Sequence, residues 1–207
     1  MSSETLVVSE IFGPTFQGEG PSTGRRCLFL RLAGCTLACT WCDTPYTWDW
    51  RGVNGVQFDP AREMKLLSVE EIVADLDRRG EKFLVVSGGE PMLQLDVPLV
   101  AALHAAGFQV AIETNGTLPV LDLLDWVCVS PKGGAPLQQR SGDELKLVYP
   151  QASLDPADFA GLPFRHFFLQ PMDGRNVAVN TRLAVEYCLQ HPQWRLSLQT
   201  HKLVGLP

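Results

Sequence analysis

Short β-type runs alternate with helical patterns along most of the chain, and that alternation demands a parallel sheet joined by crossover helices. Strand-like runs are expected at 6–12, 27–32, 83–86, 108–112, 126–129, 144–148, 167–169 and 194–198. Helices are expected between them. One begins at Ser68, an N-cap with Glu71 three residues on as a capping box, and Val69, Ile72, Val73 and Leu76 keep one apolar face. It stops at Arg78-Arg79-Gly80, with cations in the last turn and a glycine to end it. Further helical stretches are expected at 95–106, 119–124, 156–160 and 177–189. Residues 34–60, rich in Gly, Pro, Thr and Trp, read as an irregular loop. A complete eight-unit barrel needs roughly 250 residues. A chain of 207 can build only part of one, and without repeats or linkers it reads as a single α/β domain over 1–207, an abridged partial (β/α) barrel.

Seventeen basic against 23 acidic residues leave a net charge of −6 with no Lys/Arg cluster, a poor match for nucleic acid. No apolar run approaches the ~18 residues of a membrane span. Met1-Ser2-Ser3-Glu4 carries an acid where a signal peptide carries lysine or arginine, so a cytoplasmic protein with neither membrane nor nucleic-acid partner is expected.

Six cysteines are unevenly placed. Cys35, Cys39 and Cys42 crowd into eight residues, while Cys27, Cys128 and Cys188 stand alone in apolar segments and read as small buried hydrophobes. A disulfide framework would spread its cysteines along a short secreted chain, so the cluster points to metal chemistry. Structural zinc wants four ligands, and only the distant His201 could complete such a set. Three thiolates on one loop suit a [4Fe–4S] cluster with one iron left open to another ligand. The turns that follow the expected strands are polar or glycine-rich: Gly34-Cys35, Ser87-Gly88-Gly89-Glu90, Glu113-Thr114-Asn115-Gly116, Ser130-Pro131-Lys132 and Gln170-Pro171-Met172-Asp173. In a parallel α/β sheet those turns share one rim, where sites are built.

Cys35-x3-Cys39-x2-Cys42, with Trp41 before the last cysteine, resembles the signature of radical S-adenosylmethionine enzymes, and Gly88-Gly89-Glu90-Pro91 resembles their glycine-glycine-glutamate turn. A closer resemblance spans nearly the whole chain. Residues 10–20, Arg31 to Cys35, Cys42-Asp43-Thr44, Glu113 to Thr117, Ser130-Pro131-Lys132, Gln170 to Asp173 and Gln199-Thr200-His201-Lys202 look like the 7-carboxy-7-deazaguanine synthase family. That family makes 7-carboxy-7-deazaguanine from 6-carboxy-5,6,7,8-tetrahydropterin with loss of ammonia, in queuosine and 7-deazapurine biosynthesis. The resemblance implies a homodimer using a [4Fe–4S] cluster, S-adenosylmethionine, Mg²⁺ and a flavodoxin- or ferredoxin-like electron donor. Some members carry a long insert in the cysteine loop; this chain has the plain spacing.

Residue by residue, the resemblance implies Cys35, Cys39 and Cys42 on the cluster and Thr44 on Mg²⁺, where Asp43 is the choice from ligand type alone. Around S-adenosylmethionine it implies Trp41, Asp43, Gly89, Glu90, Ser130, Pro131, Lys132, Gln170, Pro171, Met172 and Asp173. Against the pterin it implies Phe16, Gln17, Gly18, Glu19, Arg31, Ser87 and the terminal carboxylate of Pro207, with Glu113, Asn115 and His201 as further candidates. Ser87 replaces the threonine of other members and keeps the hydroxyl. Plainer readings stand beside these: a solvated Lys132, a strand-surface ion pair at Arg31, a polar turn at 16–19, a frayed Pro207 and a structural His201. Two rivals share the cysteine loop. A glycyl-radical activase would not need the 16–19 segment or Arg31, and an electron-transfer or zinc protein would leave Gly88-Gly89-Glu90 without a purpose.

Overall fold

A computed structural model describes residues 5–48 and 63–207. The expected loop therefore falls partly outside the described residues, at 49–60. The elements, in order, are β1 (Thr5–Phe16), β2 (Arg26–Leu32), β3 (Lys65–Ser68), α1 (Val69–Asp77), β4 (Phe83–Gly88), α2 (Val97–Ala105), β5 (Gln109–Thr114), β6 (Trp126–Val129), β7 (Gly142–Tyr149), β8 (Phe164–Pro171), α3 (Val177–Gln190), β9 (Trp194–Leu196) and α4 (Thr200–Leu203).

Among the described residues, nine strands make one sheet in the order β3-β1-β2-β4-β5-β6-β7-β8-β9. From β2 onward every pair is parallel, as the β/α alternation requires. The first edge differs from the expected pattern, because β1 pairs antiparallel with both β2 and β3. No crossover helix lies between β1 and β2; nine residues connect them, so they return as a hairpin-like pair. The sheet curls without its edges pairing, which makes it the partial barrel.

Apolar side chains on the outer face of β1, β2, β4 and β5 pack under α1 and α2, with Leu28, Leu30, Ile72, Leu84, Leu99 and Ile112 fully buried. A second cluster joins Leu145 and Leu147 of β7 and Phe167 and Leu169 of β8 to Ala184 of α3 and Trp194 of β9. Alternation along β7 then puts Glu144, Lys146 and Val148 on the opposite, concave face. Cys27 and Cys128 are buried, and Cys188 packs on the second cluster; burial pushes the Cys27 thiol up to about 12.

Local signals explain most boundaries. The capping box forms: Ser68 Oγ accepts from Glu71 N at 3.2 Å, and Ser68 N donates to Glu71 Oε2 at 2.8 Å. Ser68 also closes β3, a strand with no clear signal in the sequence. The helix expected from 95 starts at Val97, because Asp96 caps it by accepting from Leu99 N. No helix forms at 119–124. Pro119 has no N–H to give, and Val120 N donates to Gln139 Oε1 rather than to a helical carbonyl. The stretch at 156–160 is a 3₁₀ turn, Pro156–Phe159. The last strand stops at Leu196, and Thr200–Leu203 forms a short helix where none was expected.

Candidate active site

The carboxyl ends of the parallel strands open on a cavity of about 410 Å³. It runs from the cysteine loop, beyond β2, across the sheet to the turn after β8 and the chain's carboxyl end.

The cysteine loop leaves β2 through Gly34, whose N–H donates to Thr47 O at 2.8 Å and whose carbonyl accepts from Glu90 N at 2.8 Å. Those bonds tie the loop to the turn after β4. At Gly88 the backbone has φ +138°, and a Cβ would overlap Leu32 O. At Gly89 a Cβ would overlap Gly34 O and stand 2.9 Å from Cys35 Cβ, so the two turns can close only on glycine. Cys35, Cys39 and Cys42 are half-buried and all line the cavity. Leu37 N points at Cys35 Sγ (3.4 Å), and Thr44 Oγ1 stands 3.8 Å from Cys42 Sγ. Burial pushes the Cys35 and Cys39 thiols up, and the Lys132 ammonium pulls Cys39 partly back.

This donor set fits a cluster. Among the described residues no three His, Cys, Asp or Glu side chains converge on a single ion. The three thiols instead share one wall of the cavity, with room beside them for a second molecule.

Trp41, Lys132 and Ser130 stand on this wall and the next. Lys132 Nζ lies 5.5 Å from the Trp41 ring centroid and donates to Ser130 O and Oγ, each at 2.7 Å. The residue is half-buried, and burial pulls its pKa down. Lys132 is therefore not a solvated surface lysine. Gly89, Gln170, Pro171 and Asp173 also line the cavity. Glu90, Pro131 and Met172 do not. Glu90 is fully buried behind the wall, accepting from Met92 N (3.0 Å), Thr114 Oγ1 (2.8 Å) and Asn115 N (2.8 Å). Pro131 is buried, and Met172 bonds to Tyr149 and Asn180 through its backbone.

The other end is lined by Phe16, Gln17, Gly18, Glu19, Arg31, Ser87, Glu113, Asn115, His201 and Pro207. Arg31 Nε donates to Glu10 Oε1 at 2.7 Å, and Tyr46 OH donates to the same oxygen at 2.9 Å. The ion pair of the plainer reading thus exists, and it leaves both Nη amines of the fork. Gly18 packs so closely on His201 that a Cβ would overlap the imidazole, which fixes the C-terminal segment against the turn. Glu19 takes three donors: Oε1 accepts from Gln170 Nε2 (3.2 Å) and Gln199 Nε2 (2.9 Å), and Oε2 pairs with Lys146 (2.6 Å). Burial pushes its pKa up, but Lys146 and Gln199 outweigh that and hold it below the ordinary value.

Several cavity residues have no counterpart among those expected: Lys146, Gln199 and Lys202 above all. Lys202 bridges Asp43 (3.0 Å) and Asp173 (2.6 Å), and Gln199 joins Asp43 to Glu19. Together they clasp the cysteine loop, the turn after β8 and α4. The Gln199-Thr200-His201-Lys202 match was a signal for two of them; Lys146 lies inside an ordinary-looking strand.

Residues 30–135 match the Radical SAM superfamily. The chain is 50% identical to the 7-carboxy-7-deazaguanine synthase of Burkholderia multivorans, over 98% of this chain and all of that protein. It is 48% identical to the 7-carboxy-7-deazaguanine synthase of Caulobacter vibrioides, over 98% of this chain and all of that one. The crystal structure of QueE from Escherichia coli superposes with a TM-score of 0.74 at 31% identity, covering 94% of this chain and 93% of that one. The curled parallel sheet with three thiols at its carboxyl rim is thus a radical S-adenosylmethionine enzyme, with a [4Fe–4S] cluster and S-adenosylmethionine as cofactors. Within that class the sequence match covers 98% of this chain. The chain belongs to the 7-carboxy-7-deazaguanine synthase family. No helix among the described residues is long and apolar enough to cross a membrane.

Proposed function

We propose that this chain converts 6-carboxy-5,6,7,8-tetrahydropterin to 7-carboxy-7-deazaguanine and ammonia, feeding 7-deazapurine and queuosine biosynthesis. The observation that carries the reading is one cavity with a three-thiol wall at one end and an Arg, Gln and Glu set at the other.

Cys35, Cys39 and Cys42 hold the cluster, and Trp41, Gly89, Ser130, Lys132, Gln170, Pro171 and Asp173 surround S-adenosylmethionine, with Asp43 beside them. Bound there, the cluster and S-adenosylmethionine would supply radical chemistry for hydrogen-atom abstraction. Thr44 and the substrate carboxylate hold Mg²⁺, a hard ion that keeps water in its shell. Arg31 offers its two Nη amines, unpaired among the described residues, to that carboxylate as a fork. Phe16, Gln17, Gly18, Ser87, Glu113, Asn115, His201 and the terminal carboxylate of Pro207 enclose the bicyclic ring. Glu19 holds its neighbours in place through three protein donors and keeps a lone pair of Oε2 for the ring. Glu90 acts as a buried brace. A homodimer, a flavodoxin- or ferredoxin-like electron donor and a cytoplasmic setting complete the proposal, supported by the family resemblance.

Arg31→Lys keeps the charge but loses the fork, so KM for the pterin is expected to rise about 10-fold, with kcat changed less. An equal fall in kcat with unchanged KM would move Arg31 off the carboxylate. Lys202→Ala opens a half-exposed clasp, worth about 1 kcal/mol or less per pair. The expected result is a few-fold rise in KM for S-adenosylmethionine, shrinking as salt screens the wild-type pairs. An effect insensitive to salt would sink the clasp.

The function itself is tested anaerobically. The reconstituted protein is given S-adenosylmethionine, Mg²⁺, a strong reductant and 6-carboxytetrahydropterin, and products are followed by mass spectrometry. Appearance of 7-carboxy-7-deazaguanine with ammonia is expected. Release of 5′-deoxyadenosine without that product would overturn the substrate.

A further inference from the structure

Beneath the pterin end of the cavity lie two ionisable groups, Lys146 and Glu144, to which the proposed reaction gives no role. Lys146 on β7 is buried, and its ammonium pairs with Glu19 at 2.6 Å and Glu113 at 2.8 Å. Burial pulls this lysine down, but the acids around it outweigh that and hold it well above its ordinary value. Glu144, two residues earlier on the same face of β7, is 3% exposed and makes no ion pair with Lys146. One oxygen, Oε2, accepts from Trp126 Nε1 at 3.4 Å; the other, Oε1, has no partner among the described residues. Gly20 closes over that carboxyl so tightly that a Cβ would overlap Oε1.

One buried ammonium thus faces three carboxyl groups, and it reaches two. A carboxylate without a counter-charge or donors is expensive in such a place, whereas a carboxylic acid is not. The groups facing Glu144 are Glu19 from the β1–β2 connection, Glu113 from β5, Cys128 and Trp126 from β6, Lys146 from its own strand and, by register, His166 from β8. Nothing there offers a second positive partner comparable to Lys146.

We propose that Glu144 is a positioning residue whose protonated form is the working one, since that form leaves the charge of Lys146 to hold Glu19 and Glu113 in the shape that receives the pterin. The functional half rests on the pterin reading above; the protonation half does not. Ionising Glu144 would draw Lys146 down from both partners. Glu19 would then loosen its hold on Gln170 of β8 and Gln199 before α4, and the pterin end would widen. Burial, with Glu113 and Glu19 adding to it against the pull of Lys146 and Trp126, pushes the Glu144 pKa up to about 7.

The sign of the stability effect follows. An acid whose folded pKa is raised is protonated in both states at low pH. As pH rises from the ordinary carboxyl value to about 7, the unfolded chain ionises first and the folded chain loses stability; above that the cost is constant. Glu144→Gln removes this cost and keeps the shape. Its Tm relative to wild type, on the chain without substrate, is expected to climb by several degrees between pH 4.5 and 7 and then level off. Glu144→Met carries the same expectation where the amide variant does not fold. A relative Tm that instead falls over that range would mean an ionised, paired Glu144 and overturn the proposal.

The second readout is KM for the pterin. It should rise at least 5-fold in wild type between pH 6 and 8.5 and stay nearly flat in Glu144→Gln, with iron content equal in both. Parallel KM profiles with the expected Tm slope would overturn the positioning role while leaving the proton in place. Absence of product from wild type would overturn the pterin reading instead, with the Tm slope still deciding the proton.

Discussion

Gly89→Ala should cost at least about 100-fold in turnover and much of the bound iron, in a chain that still folds. Gly89 does not need glycine for its backbone angle; it needs it for space. Its added methyl would overlap Gly34 O, lie 2.6 Å from Gly34 C and press on Cys35 Cβ at 2.9 Å. Each of those atoms belongs to the first residues of the cysteine loop. Neither partner is the far end of a flexible side chain, so the overlap is relieved only by moving backbone. The move must also stretch Gly89 N to Leu32 O (3.1 Å) and Glu90 N to Gly34 O (2.8 Å), the bonds that join the two turns. Cys35 shifts with its own backbone, and a misplacement of about 1 Å is enough to cost 10²-fold where reacting groups must be aligned. The check has two parts: iron per chain after reconstitution, and 5′-deoxyadenosine formed per minute. Full iron with full turnover would show that the cysteine loop gives way without consequence. Full iron with lost turnover would place the damage on the S-adenosylmethionine side of the turn.

The need for glycine at position 89 is half-legible in the sequence. A glycine pair after a strand announces a close approach, but not whether backbone or ligand makes it; the overlap with Gly34 shows that the cysteine loop itself does. The parallel core is legible for a similar reason. Apolar runs at 83–86 and 108–112, separated by a capped helix, leave few ways to fold. The antiparallel edge is not legible, since strand direction depends on how the chain returns between Phe16 and Arg26, and polar residues there leave that open. The site divides the same way. Cysteines and glycines carry their chemistry in their spacing. Lys146 and Glu144 do not: Glu-Leu-Lys-Leu-Val reads as an alternating strand with a solvated polar face. Only curling of the sheet turns that polar face inward and buries it. Lys202 and Gln199 are signalled only by the match at Gln199-Thr200-His201-Lys202; their roles are not legible, because their partners Asp43, Asp173 and Glu19 lie 29 to 180 positions away along the chain.

Glu90→Ala is expected to destabilise the protein by about 3–5 kcal/mol, because two buried donors and one half-buried donor lose their acceptor together. Met92 N lies in the 3₁₀ turn Pro91–Leu93, Thr114 Oγ1 ends β5 and Asn115 N opens the turn after it. The carboxylate therefore splices two neighbouring strand ends from behind the cavity wall. Burial pushes its pKa up, and the three donors and Lys132 pull it back. Glu90→Gln should cost less, about 1–3 kcal/mol, since its amide NH₂ cannot stand in for the acceptor oxygen it replaces. For a chain of this size the alanine variant should melt roughly 10 °C lower. The resemblance to the glycine-glycine-glutamate turn implies a different outcome, in which Glu90 touches S-adenosylmethionine directly. An alanine variant with an unchanged Tm and a raised KM for S-adenosylmethionine would restore that contact. A lowered Tm, with Asn115 released toward Cys35 (Nδ2 to Sγ, 4.0 Å) and iron lost in proportion, is what a buried brace requires.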